Sequence, residues 1–322
     1  MKTRIEYWVI FIFGILLELS IGKQVIAQDA SFSQFYANPA YLNPAMTAQN
    51  TTLRFGLNYR VHQINSAARF KTFLSTFEFQ IPNSNSGLGL QFYSDEQGNG
   101  QLNDQRASLM YSYRFKISRE WIISAGLQLT AAERSFDQSS LIFEDQLQDG
   151  QIIGNSAERL DELDHHDLNM SAGLTIQNDR FFSGLAIHHL NQPNEVDELN
   201  SFQFRTARKI TAHAGYKIKG NSKYISIRPN VIYQQQAGHQ QINLGNYVQI
   251  RNFTAGVWYS WNNALIALIG IQSRHFSFGY SVDMSTQGVN HGTAHEISLA
   301  YSISKRSTKS KLPKGTAACP DF

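Results

Sequence analysis

The chain carries a single cysteine, Cys319, so no disulfide can form within it and packing and hydrogen bonds must hold the fold. It also lacks any run of the roughly twenty apolar residues that a membrane-spanning helix requires. Tyr7–Leu17 falls well short of that length, and the later stretch Ala264–Ile271 is shorter still. Charge is sparse and nearly balanced, with 28 Lys and Arg against 25 Asp and Glu, a net of +3. With no basic stripe, that balance excludes a nucleic-acid partner. The mean hydropathy of -0.32 is that of a water-soluble protein. It would be equally low for strands in which every apolar residue alternates with a polar one.

Such alternation is what the chain has in abundance. Leu53-Arg54-Phe55-Gly56-Leu57-Asn58-Tyr59-Arg60-Val61 and Phe253-Thr254-Ala255-Gly256-Val257-Trp258-Tyr259-Ser260-Trp261 both repeat with a period of two, the period of a strand with one apolar and one wet face. About fourteen such segments are legible, at 53–62, 71–81, 86–94, 104–116, 121–132, 167–177, 180–188, 209–219, 224–235, 240–250, 252–261, 264–272, 275–284 and 294–304. Their connections alternate between turn-rich links (82–85, 116–119, 178–179, 219–222, 272–274) and longer ones (63–70, 95–103, 133–166, 189–208, 285–293), with short exceptions at Ala237-Gly238 and Asn262-Asn263. This is the rhythm of an all-β transmembrane antiparallel barrel, short turns on one side and loops on the other. A soluble sandwich also alternates, but its wet face would be rich in Lys and Glu. Here that face is small and polar: Ser124, Gly126, Gln128 and Thr130 in one strand, Asn169, Ser171, Gly173 and Thr175 in the next. Aromatics at strand ends (Trp121, Phe181, Tyr224, Trp261, Tyr301) suit the girdles of a barrel in a bilayer.

The ends read as processing and tail segments. Lys2 and Arg4, the apolar run and Val25-Ile26-Ala27 follow the order of a secretory signal, residues 1–27, with cleavage expected after Ala27. Glu6 and Glu18 are unusual in such a signal and leave a retained anchor as the alternative. Residues 28–52 form a periplasmic or plug-like segment, 53–304 the barrel, and 305–322 a basic tail. Acidic residues collect in 133–166 (Asp137, Glu144, Asp145, Asp149, Glu158, Asp161, Glu162, Asp164). Basic ones collect at the opposite rim and tail (Lys116, Arg119, Lys219, Lys223, Arg251, Arg274, Lys305, Arg306, Lys309, Lys311, Lys314). Solvated loops explain this sorting, and an acidic loop that meets a cation or a partner is the functional alternative.

Little in the chain suggests catalysis. Arg54, Arg60, Glu78, Arg114, Lys217, Arg228, Asp283 and Glu296 fall on the inward register, where charges must be wetted or paired. Asp164-His165-His166-Asp167 and His188-His189 suggest metal ligands, but neighbours on a strand point to opposite faces, and no zinc spacing is present. No Ser/His/Asp site has a local signature. We therefore expect no catalytic, cofactor-binding or metal-binding residue, and no cofactor. Residues 31–45 stand apart: two Asn-Pro steps (Asn38-Pro39, Asn43-Pro44) forbid a regular helix or central strand across the stretch, while four aromatics argue against a solvated linker. This segment should pack inside or beneath the barrel.

The same segment carries a family resemblance. Phe32-Ser33-Gln34-Phe35-Tyr36-Ala37-Asn38-Pro39, Tyr41-Leu42-Asn43-Pro44-Ala45 and Arg54-Phe55-Gly56-Leu57-Asn58-Tyr59-Arg60 resemble the opening of the PorP/SprF family. Gly87-Leu88-Gly89-Leu90, Ile142-Phe143-Glu144-Asp145-Gln146, His189-Leu190-Asn191-Gln192-Pro193, His295-Glu296-Ile297-Ser298-Leu299-Ala300-Tyr301-Ser302 and Cys319-Pro320-Asp321-Phe322 continue it over essentially the whole mature chain. The resemblance implies a fatty-acid-transporter-like outer-membrane barrel of the Bacteroidota type IX secretion and gliding apparatus. It implies no catalytic residues. The implied partners are type IX cargo or a large surface adhesin, held through its C-terminal domain, together with secretion and gliding envelope proteins and outer-membrane lipid. A non-enzymatic secretion accessory is thus the leading expectation. An outer-membrane channel of the fatty-acid-transporter type, for small or hydrophobic substrates, is the alternative, with a lipid-active barrel enzyme third.

Overall fold

The computed structural model describes residues 29–49, 51–63, 69–98, 100–137, 146–148, 151–152, 165–196, 203–220, 224–287 and 292–303. The signal, most of the acidic loop, Cys319 and the basic tail lie outside the described residues. Fourteen strands make the wall: β1 (Leu53–Gln63), β2 (Arg69–Gln80), β3 (Ser86–Gln97), β4 (Leu102–Lys116), β5 (Ile122–Phe136), β6 (His165–Gln177), β7 (Phe181–His188), β8 (Lys209–Tyr216), β9 (Ile225–Gln236), β10 (His239–Ile250), β11 (Phe253–Ser260), β12 (Ala264–Gln272), β13 (Phe276–Ser285) and β14 (Thr293–Ile303). Each pairs antiparallel with its neighbours in sequence, and β14 closes on β1, Leu53 opposite Ile303 and Gln63 opposite Thr293. Closure leaves no edge, as hydrocarbon surroundings demand.

Side chains alternate as the sequence predicts. Along β11, Phe253, Ala255, Val257 and Tyr259 face out, while Thr254, Gly256, Trp258 and Ser260 face in and are buried. The outer surface is covered with exposed Leu, Ile, Phe and Tyr, among them Leu109, Leu127, Leu174 and Ile269. On a soluble protein this would be a severe aggregation hazard; here it is the lipid-facing band.

The strand boundaries differ from expectation mainly at the long-loop end. β3 runs to Gln97 and β5 to Phe136, rather than stopping at 94 and 132. These extensions are polar, so apolar alternation cannot show them. Ion pairs help to hold them instead: Lys71 with Glu96 at 2.7 Å, Arg134 with Asp104 at 3.4 Å. Pro229 sits within β9 and can donate no ladder bond. Opposite it the β8 ladder breaks after Gly215 and resumes at Ile218–Lys219. The tight link between β9 and β10 is the Ala237-Gly238 pair, both at positive φ, the backbone a two-residue hairpin turn requires.

Two ends result. One carries the short links 81–85, 117–121, 178–180, 220–224, 251–252 and 273–275, along with the start of β1 and the end of β14. The other carries the longer connections, including 137–164 and 189–208. Exposed Lys116, Arg119, Lys219, Arg251 and Arg274 all lie at the short-turn end.

Candidate functional site in the lumen

Residues Asp29–Gln49 lie inside the wall and cross its whole height before entering β1. No regular helix runs across the stretch, as expected; each Asn-Pro step opens only a single short turn. Pro39 and Pro44 take the first helical position, where no N–H is needed, in α1 (Pro39–Leu42) and in a 3₁₀ turn (Pro44–Met46). The Asn43 side chain accepts from the Ala45 N–H at 2.9 Å and so caps the second turn.

The anchors descend the barrel in chain order. At the long-loop end, Asp29 meets Arg106 of β4 at 2.8 Å, His189 beyond β7 at 2.9 Å and Lys209 of β8 at 4.0 Å, and its N–H donates to Gln236 of β9 at 3.0 Å. Burial by itself would raise the Asp29 pKa, but the charges of Arg106, His189 and Lys209 hold it well below the ordinary carboxylate value. Next, the Ser33 N–H donates to Glu296 at 2.6 Å and its hydroxyl to Asp283, which pairs with Arg60 at 2.7 Å. Gln34 donates to the Glu296 carbonyl at 2.9 Å and accepts from the Ser298 hydroxyl at 2.6 Å. Asn38 bonds Asn58 of β1 and accepts from Thr76 of β2 at 2.9 Å. The Asn43 amide donates to Leu174 and Leu185 carbonyls on β6 and β7, both at 3.2 Å. Near the short-turn end the Ala48 N–H donates to Glu78 at 2.7 Å, and the Gln49 carbonyl accepts from Arg114 at 2.9 Å.

Apolar contacts fill what the polar anchors leave. Phe35 packs on Trp258 with ring centroids 4.7 Å apart, and Tyr36 meets Phe182 edge-on at 5.5 Å. With Leu42, Met46, Ile232, Tyr247, Ile266 and Leu268 they form a buried cluster. Phe32 joins Leu74 and Tyr93 in a second cluster, and Tyr41 stacks on Tyr93 at 6.0 Å. The luminal face is therefore not uniformly polar, as the glycine, serine and threonine of β5 and β6 suggest. On β9–β12 it is an apolar arc complementary to the aromatics of the segment.

Opposite that arc, the wall opens a notch for backbone. Gly126 and Gly173 face each other across β5 and β6, and added methyls would collide with Pro44, Ala45 and Asn43. Around the segment, a cavity of about 10 Å³ adjoins Phe32 and Phe35, and one of about 40 Å³ lies beside Asp29. A single water needs roughly 10–15 Å³, so these are water-sized spaces.

The inward charges of the sequence reading are in the lumen. Arg54 faces Glu78 at 3.6 Å, Arg60 faces Asp283 and Glu296, and Arg228 donates to Gln249 at 3.0 Å. Lys217 is half-buried at the break in β8. Asp29, Asp95, Asp104, Arg106 and Lys209 went unrecognised. The last four share the inward register of their strands: Asp104, Arg106 and Lys209 fall within the expected strands 104–116 and 209–219, and carrying the alternation one residue past 94 adds Asp95. His188 and His189 also correct an expectation. Both line the 40 Å³ cavity, because β7 ends at His188 and the positive φ of His189 turns its ring back inward. Among the described residues, no group of three His, Cys, Asp or Glu could hold a metal ion.

A closed fourteen-strand antiparallel wall, greasy outside and filled by its own N-terminal segment, is an outer-membrane β-barrel. Among described residues no helix is long and apolar enough to cross a membrane. The chain belongs to the PorP/SprF family: the family model described as type IX secretion system membrane protein PorP/SprF matches residues 24–301. The protein is accordingly a type IX secretion outer-membrane component. Among solved structures it is similar to a Pseudomonas aeruginosa FadL homologue (13% identity, 82% of this chain and 93% of that one, TM-score 0.45). It is also similar to the Acinetobacter baumannii outer membrane protein Omp33 (6%, 80% and 100%, 0.44) and the CymD monoaromatic hydrocarbon channel (12%, 86% and 95%, 0.42). No curated protein matches.

Proposed function

We propose that this barrel is a non-enzymatic docking component of type IX secretion or gliding, supporting export or surface anchoring of a secreted, adhesin-like partner. In this reading the short-turn end faces the periplasm, the cleaved chain begins near Gln28, and residues 29–49 act as a resident plug. The partner meets the long loops outside, 133–166 and 189–208, while the periplasmic rim meets envelope proteins. The observation that carries the reading is the occupied lumen: a barrel stoppered by buried, many-fold bonded backbone is suited to act through its rims rather than as an open pore.

Pull-down of the tagged protein from outer membranes tests this. A large secreted protein should co-purify, and the purified barrel should be silent in planar bilayers. Steady conductance with no secreted partner would reject it. One observation favours a second reading, a channel for hydrophobic substrates: the apolar arc of Ile232, Trp258, Ile266 and Leu268 would line a greasy path if the plug moved. Deleting residues 31–45 should then admit hydrophobic solutes that the intact protein excludes.

A further inference from the structure

Asp29 is held by more than one cation needs. Arg106, His189 and Lys209 converge on its carboxylate, and Gln236 takes its N–H. Both ring nitrogens of His189 are engaged, one with Asn169 Oδ1 at 2.8 Å and the other with Asp29 Oδ2 at 2.9 Å. Asn169 is oriented for this role by donating its amide to Asp167. Arg106 is braced from behind by Asp104 at 2.6 Å and lies over Tyr93. Every one of these groups except Asp29 belongs to the wall, and Lys209, Gln236 and His189 sit at or just beyond strand ends on the long-loop side. The adjoining 40 Å³ cavity is lined by Gln91, Gln128, Ser171 and Thr130, and the Gln91 side-chain amide, 6% exposed, points its nitrogen at no acceptor. A built anion cage beside a polar cavity with an unused donor is more than one carboxylate side chain fills.

We propose that Arg106, His189, Lys209 and Gln91 form a carboxylate-binding site at the long-loop mouth. The chain's own Asp29 fills it at rest, and a carboxylate of an exported polypeptide takes it over. Binding there would release the first anchor of the plug and so couple occupancy of the mouth to the lumen. The carboxylate comes either from a free C-terminus or from an acidic side chain. That the ligand is an exported polypeptide rests on the proposed export role, whereas the site itself rests on the wall geometry and is tested with acetate alone.

The test uses the full mature protein in detergent, with folding checked by heat-dependent electrophoretic mobility. By calorimetry, Asp29→Gly and the isosteric Asp29→Asn should bind sodium acetate saturably. Asp29→Gly should bind it about tenfold or more tightly than wild type, whose tethered carboxylate competes. Adding Arg106→Gln should abolish that binding, and sodium chloride should not reproduce it. Three hexapeptides then separate the sources: one with a free C-terminus and no acidic side chain, its C-terminal amide, and an amide carrying one internal Asp. Binding of the first or third, but not the second, supports the site and names its ligand. Folded variants that bind no acetate, or acetate but neither acidic peptide, overturn it.

Discussion

Changing Gly126 to alanine tests whether the luminal segment is seated in the wall or merely lies within it. The added methyl would fall well under 3.0 Å from the Pro44 carbonyl and the Ala45 nitrogen, where ordinary carbon contacts begin near 3.4 Å. These are backbone atoms of a capped 3₁₀ turn, so no side chain can swing aside. The turn must recede by most of an ångström, straining the Asn43 bonds to Leu174 and Leu185. Overpacking of this kind costs about 1–3 kcal/mol. At about 1.4 kcal/mol per tenfold, the unseated population should rise by about five- to hundredfold. The wall should be unharmed, since alanine suits a strand interior at least as well as glycine. The assay is limited proteolysis of the folded barrel, scoring cleavage within residues 29–49 while electrophoretic mobility reports the intact cylinder. Gly87→Ala, whose methyl would stand 2.7 Å from the Thr47 carbonyl, should behave alike. Leu127→Ala, which changes a lipid-facing neighbour, should not. Unchanged cleavage rates in both glycine variants would refute the notch.

Arg60→Ala leaves Asp283 and Glu296 without their cation and should destabilise the folded protein by about 3–5 kcal/mol in denaturant titration, as expected when one side of a buried pair is removed. Asn43→Ala removes a cap and two wall bonds, and should raise proteolysis within 29–49 with an apparent cost of about 1–2 kcal/mol. Because the Asp29 pKa is depressed, its anchoring is complete above the ordinary carboxylate pKa of about 4 and is lost only as pH falls through its lower folded value. Protection near residue 29 should therefore hold down to about pH 4 and weaken progressively below that, failing as the pH passes the lower folded value. In Asp29→Asn this acid limb should vanish, with weaker protection at every pH.

The number of strands, their faces and the division into a short-turn and a long-loop end are all readable in the sequence. They depend on a period of two and on turn residues, which are local properties. The oddity of residues 31–45 is local as well, since prolines and aromatics mark it whatever surrounds them. What the segment touches is not local. That Gly126 and Gly173 form a notch, that Phe35 finds Trp258 and Ser33 finds Glu296, and that His189 turns inward to meet Asp29 depend on pairs separated by scores to hundreds of residues. Gly126 and Gly173 meet through the β5–β6 register, but the segment reaches them, and the other pairs become neighbours, only when β14 closes on β1, because bending the wall into a cylinder brings every inward face onto one shared interior.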